Sequence, residues 1–164
     1  MPLLARMLAS PLVIDIRRGA IAGLGQLLAE GRISTGGRVA VLVGQGQGEQ
    51  IADVVAPQLS DATVVPVGTA SVERARELAG ELGKSSYDAV IGIGGGRTLD
   101  VAKYVASLVA LPMVSVATNL AHDGIASPVA SLEYEGRKGS YGVHIPIAVF
   151  VDLDRQRRRH HAAQ

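Results

Sequence analysis

The 164-residue chain has no cysteine, no tryptophan and a single phenylalanine. Without cysteine it forms no disulfide, has no thiol nucleophile and offers no cysteine ligand to zinc, which fits a reducing compartment. With four tyrosines and one phenylalanine, it also lacks the aromatic platforms on which single-stranded nucleic acids stack their bases. Thiol chemistry and nucleic-acid binding are therefore not expected.

The body of the chain has only a small net charge. The formal net charge is +1, but four arginines lie within the last ten residues, at Arg155, Arg157, Arg158 and Arg159. Without them, 12 basic residues face 15 acidic ones, a net charge of −3. Only this end would attract phosphate backbones. Because it has neither periodicity nor core residues, we interpret 155–164 as a basic disordered tail.

Long apolar runs are missing as well. The longest, such as 105–111, falls short of the roughly 18 residues needed to cross a bilayer, and the N-terminus lacks a signal-peptide layout. We therefore expect a cytoplasmic protein with no membrane span. Hydrophobic residues make up 48% of the chain and charged residues 19%, so it can bury a core. Its length suits one domain, which we assign to 1–154.

Short runs rich in Val and Ile alternate with segments of helical periodicity. The runs are too continuous for half-exposed antiparallel strands and predict buried strands over 38–43, 62–67, 89–93 and 113–116. Helices are predicted over 20–30, 49–59, 71–82 and 97–111. Ser71 is the expected N-cap of its helix, and Gly31 and Gly83 are expected to end helices in the left-handed conformation. This order predicts an α/β fold: a Rossmann-like parallel sheet with helices on both faces.

The character of the sequence changes after the fourth strand. A polar loop of small residues over 118–128 is followed by a predicted β-hairpin over 131–142, which turns at Glu135 and Gly136. A last strand is predicted over 147–151. The prediction is thus a β-hairpin near the C-terminal end, added to the parallel sheet.

Three consecutive glycines, Gly94, Gly95 and Gly96, follow a predicted strand and precede a helix that begins near Arg97. Backbone N–H groups and the helix dipole at such a helix start favour a phosphate. Glycine has no Cβ, so it lets a pyrophosphate approach the backbone and adopts positive φ at little cost. A tight strand-to-helix turn without a ligand gives the same pattern.

Two further features concern cofactor choice. Asp100 and Lys103 share a face of the predicted helix, where they either contact a cofactor or form a structural pair near the helix dipole. Gly44 follows the strand over 38–43, at a place where dinucleotide sites commonly carry a carboxylate for the ribose 2′-hydroxyl. Because glycine does not exclude a 2′-phosphate, both NAD and NADP are admissible.

The loop over 118–128 leaves the carboxyl end of another predicted strand, on the same edge as the triple glycine, so both segments can face one ligand. Asp123 and Ser127 serve either a ligand or, as is common for these residue types, a turn or cap. His122 beside Asp123 does not make a metal site, because zinc needs three or four convergent donors.

Two segments carry a resemblance to a known family. The run GGGRTLDVAK over 94–103 resembles a pattern shared by glycerol dehydrogenases, iron-containing alcohol dehydrogenases and dehydroquinate synthases. The run HDGIASP over 122–128 is more selective and resembles the sn-glycerol-1-phosphate dehydrogenases. The similarity extends from about Pro11 to Asp154, with a departure at Ala117, where the family usually has proline, and with bulkier residues than usual at Asn119 and Leu120.

The resemblance implies hydride transfer between NAD(P)H and dihydroxyacetone phosphate, a small phosphate substrate, to give glycerol 1-phosphate for ether-lipid synthesis. It implies that Asp123 contacts the substrate; it names no catalytic residue. The residues that it assigns to the cofactor are Gly94, Gly95, Gly96, Arg97, Thr98, Asp100, Thr118, Asn119, Leu120, Ala121 and Ser127.

The family's helical domain, whose Asp and two His bind a catalytic zinc, is not expected within this chain, so no metal ligand is assigned. We expect the chain alone to bind dinucleotide weakly and to catalyse nothing, and to self-associate or meet a partner that supplies the missing domain. Two alternatives stay open. One is a polyol dehydrogenase or a dehydroquinate-synthase-like enzyme on the same scaffold, and the other is a non-catalytic nucleotide-binding module.

Overall fold

The computed structural model describes residues 10–31, 33, 37–121 and 123–156. Six strands form one parallel sheet, and two more form a separate antiparallel hairpin. The strands of the parallel sheet are β1 (Val13–Arg17), β2 (Arg38–Val43), β3 (Asp61–Pro66), β4 (Ala89–Gly94), β5 (Met113–Ala117) and β8 (Ala148–Asp152). Their spatial order is β1-β8-β5-β4-β2-β3.

Helices cover both faces of the sheet, which confirms the predicted α/β fold. One face is packed by α1 (Leu24–Glu30) and α2 (Gln47–Val55), together with the 3-10 turns Ala20–Gly23 and Ala56–Gln58. The other face is packed by α3 (Val72–Leu82), α4 (Gly96–Leu108) and the hairpin. Every residue of β4, β5 and β8 is buried, because central parallel strands have helices on both sides.

The first strand, β1, is not predicted by the sequence pattern. It lies at the edge of the sheet and pairs only with β8, so it needs no continuous apolar run. Its apolar residues alternate with Asp15 and Arg17, whose side chains form an ion pair of 2.9 Å. A five-residue strand of this kind carries a weaker signal than the buried strands do.

The predicted N-cap is confirmed, but the predicted conformation of the two C-terminal glycines is not. Ser71 caps α3 as expected, with its hydroxyl accepting a hydrogen bond from the Arg74 N–H at 3.2 Å. The left-handed conformation expected at Gly31 and Gly83 is wrong, since their φ angles are −74° and −65°. Both glycines continue the right-handed path for one more residue, and their N–H groups donate to carbonyls of the last helical turn.

The hairpin consists of β6 (Val129–Tyr134) and β7 (Arg137–Gly142). Its turn residues are the predicted pair: Glu135 and Gly136 both have positive φ, at 49° and 76°, as a two-residue hairpin turn requires. Ala130 and Leu132 alternate with exposed neighbours and are buried in the core that α3 and α4 share. The hairpin therefore extends the cover of that face of the sheet.

Residues 153–156 form a helical turn after β8. Gln47 donates to the Arg155 carbonyl at 3.0 Å, and Gln156 donates to the Ala117 carbonyl at 3.2 Å. The disordered tail predicted from Arg155 is thus wrong for these first two residues, and 157–164 lie outside the described residues. In the described part of the chain, no helix is long and apolar enough to cross a membrane.

Candidate functional site

The chain changes its direction of travel across the sheet between β2 and β4. From β2 it steps outward to β3, and it then returns to β4 on the other side of β2 and continues to β5. The carboxyl ends of β2 and β4 are neighbours, so the turns that leave them lie side by side. Open α/β sheets bind ligands at such a switch point.

The turn from β4 into α4 depends on glycines that let the helix lie close to the sheet. A Cβ at Gly92 would lie 2.7 Å from the Ala102 Cβ, and a Cβ at Gly94 would lie 2.7 Å from the Thr98 Cβ. Atoms this close would have to move apart. Packing inside the protein therefore explains the glycines at 92 and 94.

Gly95 differs from these two glycines. Its backbone is extended, with φ −81° and ψ −174°, a conformation that any residue adopts. A Cβ added there would meet no heavy atom within 4 Å. Neither backbone strain nor packing within the protein requires glycine at this position.

Gly95 is also the N-cap of α4, a 13-residue helix whose start has no side-chain cap hydrogen bond. The first N–H groups of a helix lack partners within the helix and carry the positive end of its dipole. An anion bound beside Gly95 would meet these N–H groups directly. The start of α4 thus offers the kind of N–H groups to which phosphates bind at helix starts in general.

The turn after β2 packs against the same place. The Gly44 N–H donates to the Ile93 carbonyl at 2.9 Å, and a Cβ at Gly44 would lie 2.5 Å from the Thr98 hydroxyl oxygen. Gly48, in the first turn of α2, would bring a Cβ to 2.8 Å from the Ile93 carbonyl oxygen. Thr98 therefore lies between the two turns, and the floor of the site is closely packed.

Asp100 and Lys103 form an ion pair, the structural one of the two alternatives that the sequence offered. The Asp100 Oδ1 lies 3.0 Å from the Lys103 Nζ, and the two side chains are 14% and 0% exposed. The approach does not have hydrogen-bond geometry, and no other described residue donates to that oxygen. Lys103 instead donates to backbone carbonyls of the 124–129 segment. Its nitrogen is directed into the protein and away from solvent.

The segment over 118–121 begins beside the glycine turn. Thr118 is buried, and its N–H donates to the Gly94 carbonyl at 2.9 Å, which links the two predicted cofactor segments directly. The Asn119 side-chain oxygen accepts from the Ala121 N–H at 2.8 Å, so this amide stabilises a local turn. Leu120 is exposed. The Thr118 and Gly94 backbones therefore share one edge of the site.

The remainder of the loop carries Ser127, whose hydroxyl donates to the Val129 carbonyl at 3.1 Å. Asp123 begins a 3-10 turn, Asp123–Ile125, but its side chain lies outside the described part of the structure, as does all of His122. The substrate contact assigned to Asp123 stays a prediction.

A cavity of about 440 Å³ opens beside the start of α4, between the β3–α3 connection and the hairpin. Arg97 and Asp100 are the predicted cofactor residues that reach it. The rest of its lining is not predicted by the sequence and includes polar groups from Thr69, Glu133 and Lys138. Glu133 and Lys138 are directly opposite each other in the hairpin register. The sequence signal for these two residues is weak: in a predicted hairpin, alternate residues share a face, and this pattern would place Glu133 and Lys138 on one face.

The described residues do not fit a zinc ion. Nowhere in 10–31, 33, 37–121 and 123–156 do three His, Asp or Glu side chains come together as metal ligands. A zinc site needs at least three such donors. We therefore assign no step of chemistry to a metal held by these residues.

Comparison with known proteins agrees with the architecture. The sequence profile of the iron-containing alcohol dehydrogenases matches residues 15–158, most of the chain. The chain belongs to this family. Among solved structures, the iron-containing alcohol dehydrogenase of Thermotoga maritima superposes with a TM-score of 0.78 at 19% identity, covering 92% of this chain and 48% of that one. A probable glycerol dehydrogenase from Sinorhizobium meliloti gives 0.74 at 26% identity, covering 90% and 41%.

Within this family, the chain is similar in sequence to glycerol-1-phosphate dehydrogenases [NAD(P)+]. The protein of Hyperthermus butylicus is 35% identical over 150 residues, which is 88% of this chain and 42% of that protein. The protein of Archaeoglobus fulgidus is 47% identical over 88 residues, or 54% and 25% of the two chains. The chain thus spans less than half the length of these relatives.

Proposed function

We propose that this chain is the NAD(P)-binding part of an sn-glycerol-1-phosphate dehydrogenase. The complete reaction would reduce dihydroxyacetone phosphate with NAD(P)H to glycerol 1-phosphate. The proposal is supported by the similarity to proteins named glycerol-1-phosphate dehydrogenase [NAD(P)+]. It is also supported by the selective run HDGIASP over 122–128.

The observation that carries the proposal is the open space at Gly95. Nothing among the described residues requires glycine there, whereas a pyrophosphate that must touch the backbone does. Arg97 and Asp100 lie within the first two turns of the same helix and line the adjacent cavity. Thr118 meets the Gly94 carbonyl from the other side. We therefore assign pyrophosphate binding to Gly94, Gly95, Gly96 and Thr98.

When bound, NAD(P)H would supply the hydride for the ketone. The described residues would bind and orient it: the start of α4 neutralises the pyrophosphate, and the backbone at 118–121 flanks the dinucleotide. Because these residues hold no set of metal ligands, the proposal assigns them cofactor binding and leaves the polarisation of the ketone to groups outside them. We expect no turnover of dihydroxyacetone phosphate by the isolated 164-residue chain.

Gly95→Ala tests the proposal directly. The added methyl group meets open space in the protein, so the melting temperature stays unchanged, but it occupies the place assigned to the pyrophosphate. We expect NADPH affinity to fall about tenfold, a change of roughly 1.4 kcal/mol. Titration of NADPH fluorescence gives the affinity, and a thermal melt gives the stability.

Gly142→Ala is the matched control. This glycine also has no heavy atom within 4 Å of an added Cβ, but it lies at the end of β7 in the hairpin. The control should bind NADPH like the unmodified chain. Equal binding by Gly95→Ala and the unmodified chain would contradict the assignment of the pyrophosphate to this helix start.

A further inference from the structure

Lys103 is among the largest fully buried side chains of the molecule's described part and carries a charge, with 1% of its surface exposed. It lies on α4, two turns after the glycines. Its Nζ donates to the Val129 carbonyl at 2.6 Å and to the Gly124 carbonyl at 2.7 Å. Longer contacts reach the hydroxyl and the carbonyl of Ser127, at 3.4 and 3.5 Å.

A buried cation is costly unless hydrogen bonds and an opposite charge compensate it. Here the opposite charge is Asp100, from the same helix, and all the hydrogen-bond acceptors come from the 124–129 segment. These carbonyls are 21 to 26 residues away from Lys103 along the chain. The ammonium group is therefore the link between the helix that starts at the phosphate site and the loop that carries Ser127.

The segment needs such a link because it has little regular structure. Its only secondary structure before β6 is the 3-10 turn Asp123–Ile125, and Ile125 and Ala126 are only partly buried. From outside the segment, Ser115 also donates into it, to the Ile125 carbonyl at 3.2 Å. Removing the Lys103 nitrogen would take one buried donor from the Gly124 carbonyl and one from the Val129 carbonyl, and it would leave the buried Asp100 carboxylate without its counter-charge.

We propose that Lys103 is a positioning residue for the cofactor site: it holds the 124–129 segment against α4, so that this segment meets the same ligand as Gly95. It does so through the loop and touches no cofactor itself. The inference rests on the proposed function, since it assigns the held segment to dinucleotide binding. It adds that affinity for the dinucleotide depends on a group buried beneath the site.

The absence of cysteine from the sequence allows a selective test. In a Lys103→Cys variant the new thiol is the single alkylation site. Treatment of the unfolded chain with 2-bromoethylamine, followed by refolding, restores an ammonium at nearly the length of lysine. Treatment with 1-bromopropane gives an uncharged side chain of the same length and is the matched control.

Two measurements are made on each protein: NADPH affinity by fluorescence titration, and amide hydrogen exchange of peptides within 118–129. We expect the propyl form to bind NADPH about tenfold more weakly and to exchange faster in these peptides, since two carbonyls lose their buried donor. The aminoethyl form should recover both properties. Val105→Ala, a cavity variant buried on the same helix, should lower the melting temperature without changing NADPH affinity.

The outcomes separate the two proposals. If the unmodified chain binds no NADPH, the proposed function fails, while hydrogen exchange still decides whether the cation holds the segment. Equal affinity of the propyl and aminoethyl forms, or unchanged exchange in 118–129, would overturn the role of Lys103. If the alkylated chains do not refold, Lys103→Gln replaces them, with the same expected losses of affinity and of protection. Unchanged values in this variant would equally overturn the role.

Discussion

The two segments that form the candidate site are held in different ways. The turn between β4 and α4 is shaped by missing side chains, since Gly92 and Gly94 let the helix lie against the strand. The 118–128 loop is held by side chains that reach it from elsewhere, above all Lys103 and Ser115. One segment has its shape encoded locally, and the other depends on the folded core beneath it.

The two segments are therefore sensitive to different substitutions. An atom added in the turn pushes α4 away from the sheet, which lowers the stability of the whole fold. Loss of a buried hydrogen-bond donor disorders the loop before it affects the rest of the fold. A substitution confined to one segment therefore distinguishes loss of global stability from loss of local order.

The largest effect is expected from Gly92→Val. A Cβ there would lie 2.7 Å from the Ala102 Cβ and 2.9 Å from the Met113 Cε, so α4 has to move away from β4. We expect a loss of about 3 kcal/mol in the free energy of unfolding, as for overpacking of a dense core. Urea unfolding followed by circular dichroism measures it. A loss no larger than that of Gly142→Ala would show that the turn is not set by this close packing.

A smaller effect is expected from Ser115→Ala. The Ser115 hydroxyl is buried and donates to the Ile125 carbonyl, so its removal leaves that carbonyl without this donor. We expect a loss of about 1 kcal/mol and faster amide exchange within 118–129. Ser140→Ala, at an exposed position of β7, serves as the control. If exchange rose equally across the sheet, the loop would not be an independent unit.

Much of the sheet could be predicted because its strands are buried on both faces. The runs in β2, β4 and β5 consist mostly of Val, Ile and Ala, and their predicted ends lie within one residue of the observed ends. The edge strand β1 could not be predicted in this way, because Asp15 and Arg17 interrupt its apolar residues, whereas the other edge strand, β3, has an apolar run that no charged residue interrupts and was predicted. A continuous apolar run, not a strand's place in the sheet, made these strands predictable.

The site was predictable to the extent that it is local. Three glycines between a strand and a helix identify the turn, whereas the cavity that Arg97 lines is completed by Thr69 and Lys138 from distant segments. The partners of Lys103 were equally hidden: its i,i+3 spacing pointed to Asp100, and nothing in the sequence indicated the carbonyls of Gly124 and Val129. Contacts of this kind exist only after the loop has folded onto α4.

The smallest effect is expected from Gly80→Ala. Unlike Gly92, this glycine is not closely packed, and unlike Gly95 it lies away from the proposed site. Gly80 lies within α3 at an exposed position, and a Cβ there would meet no heavy atom within 4 Å. Alanine costs less backbone entropy than glycine in a helix, so we expect a gain of about 0.5–1 kcal/mol in the free energy of unfolding. NADPH affinity should not change. Because Gly80 and Gly95 are equally free of contacts within the protein, a loss of affinity in Gly95→Ala alone would attribute that loss to the ligand. If Gly80→Ala also weakened binding, open space around a glycine would not identify a phosphate site.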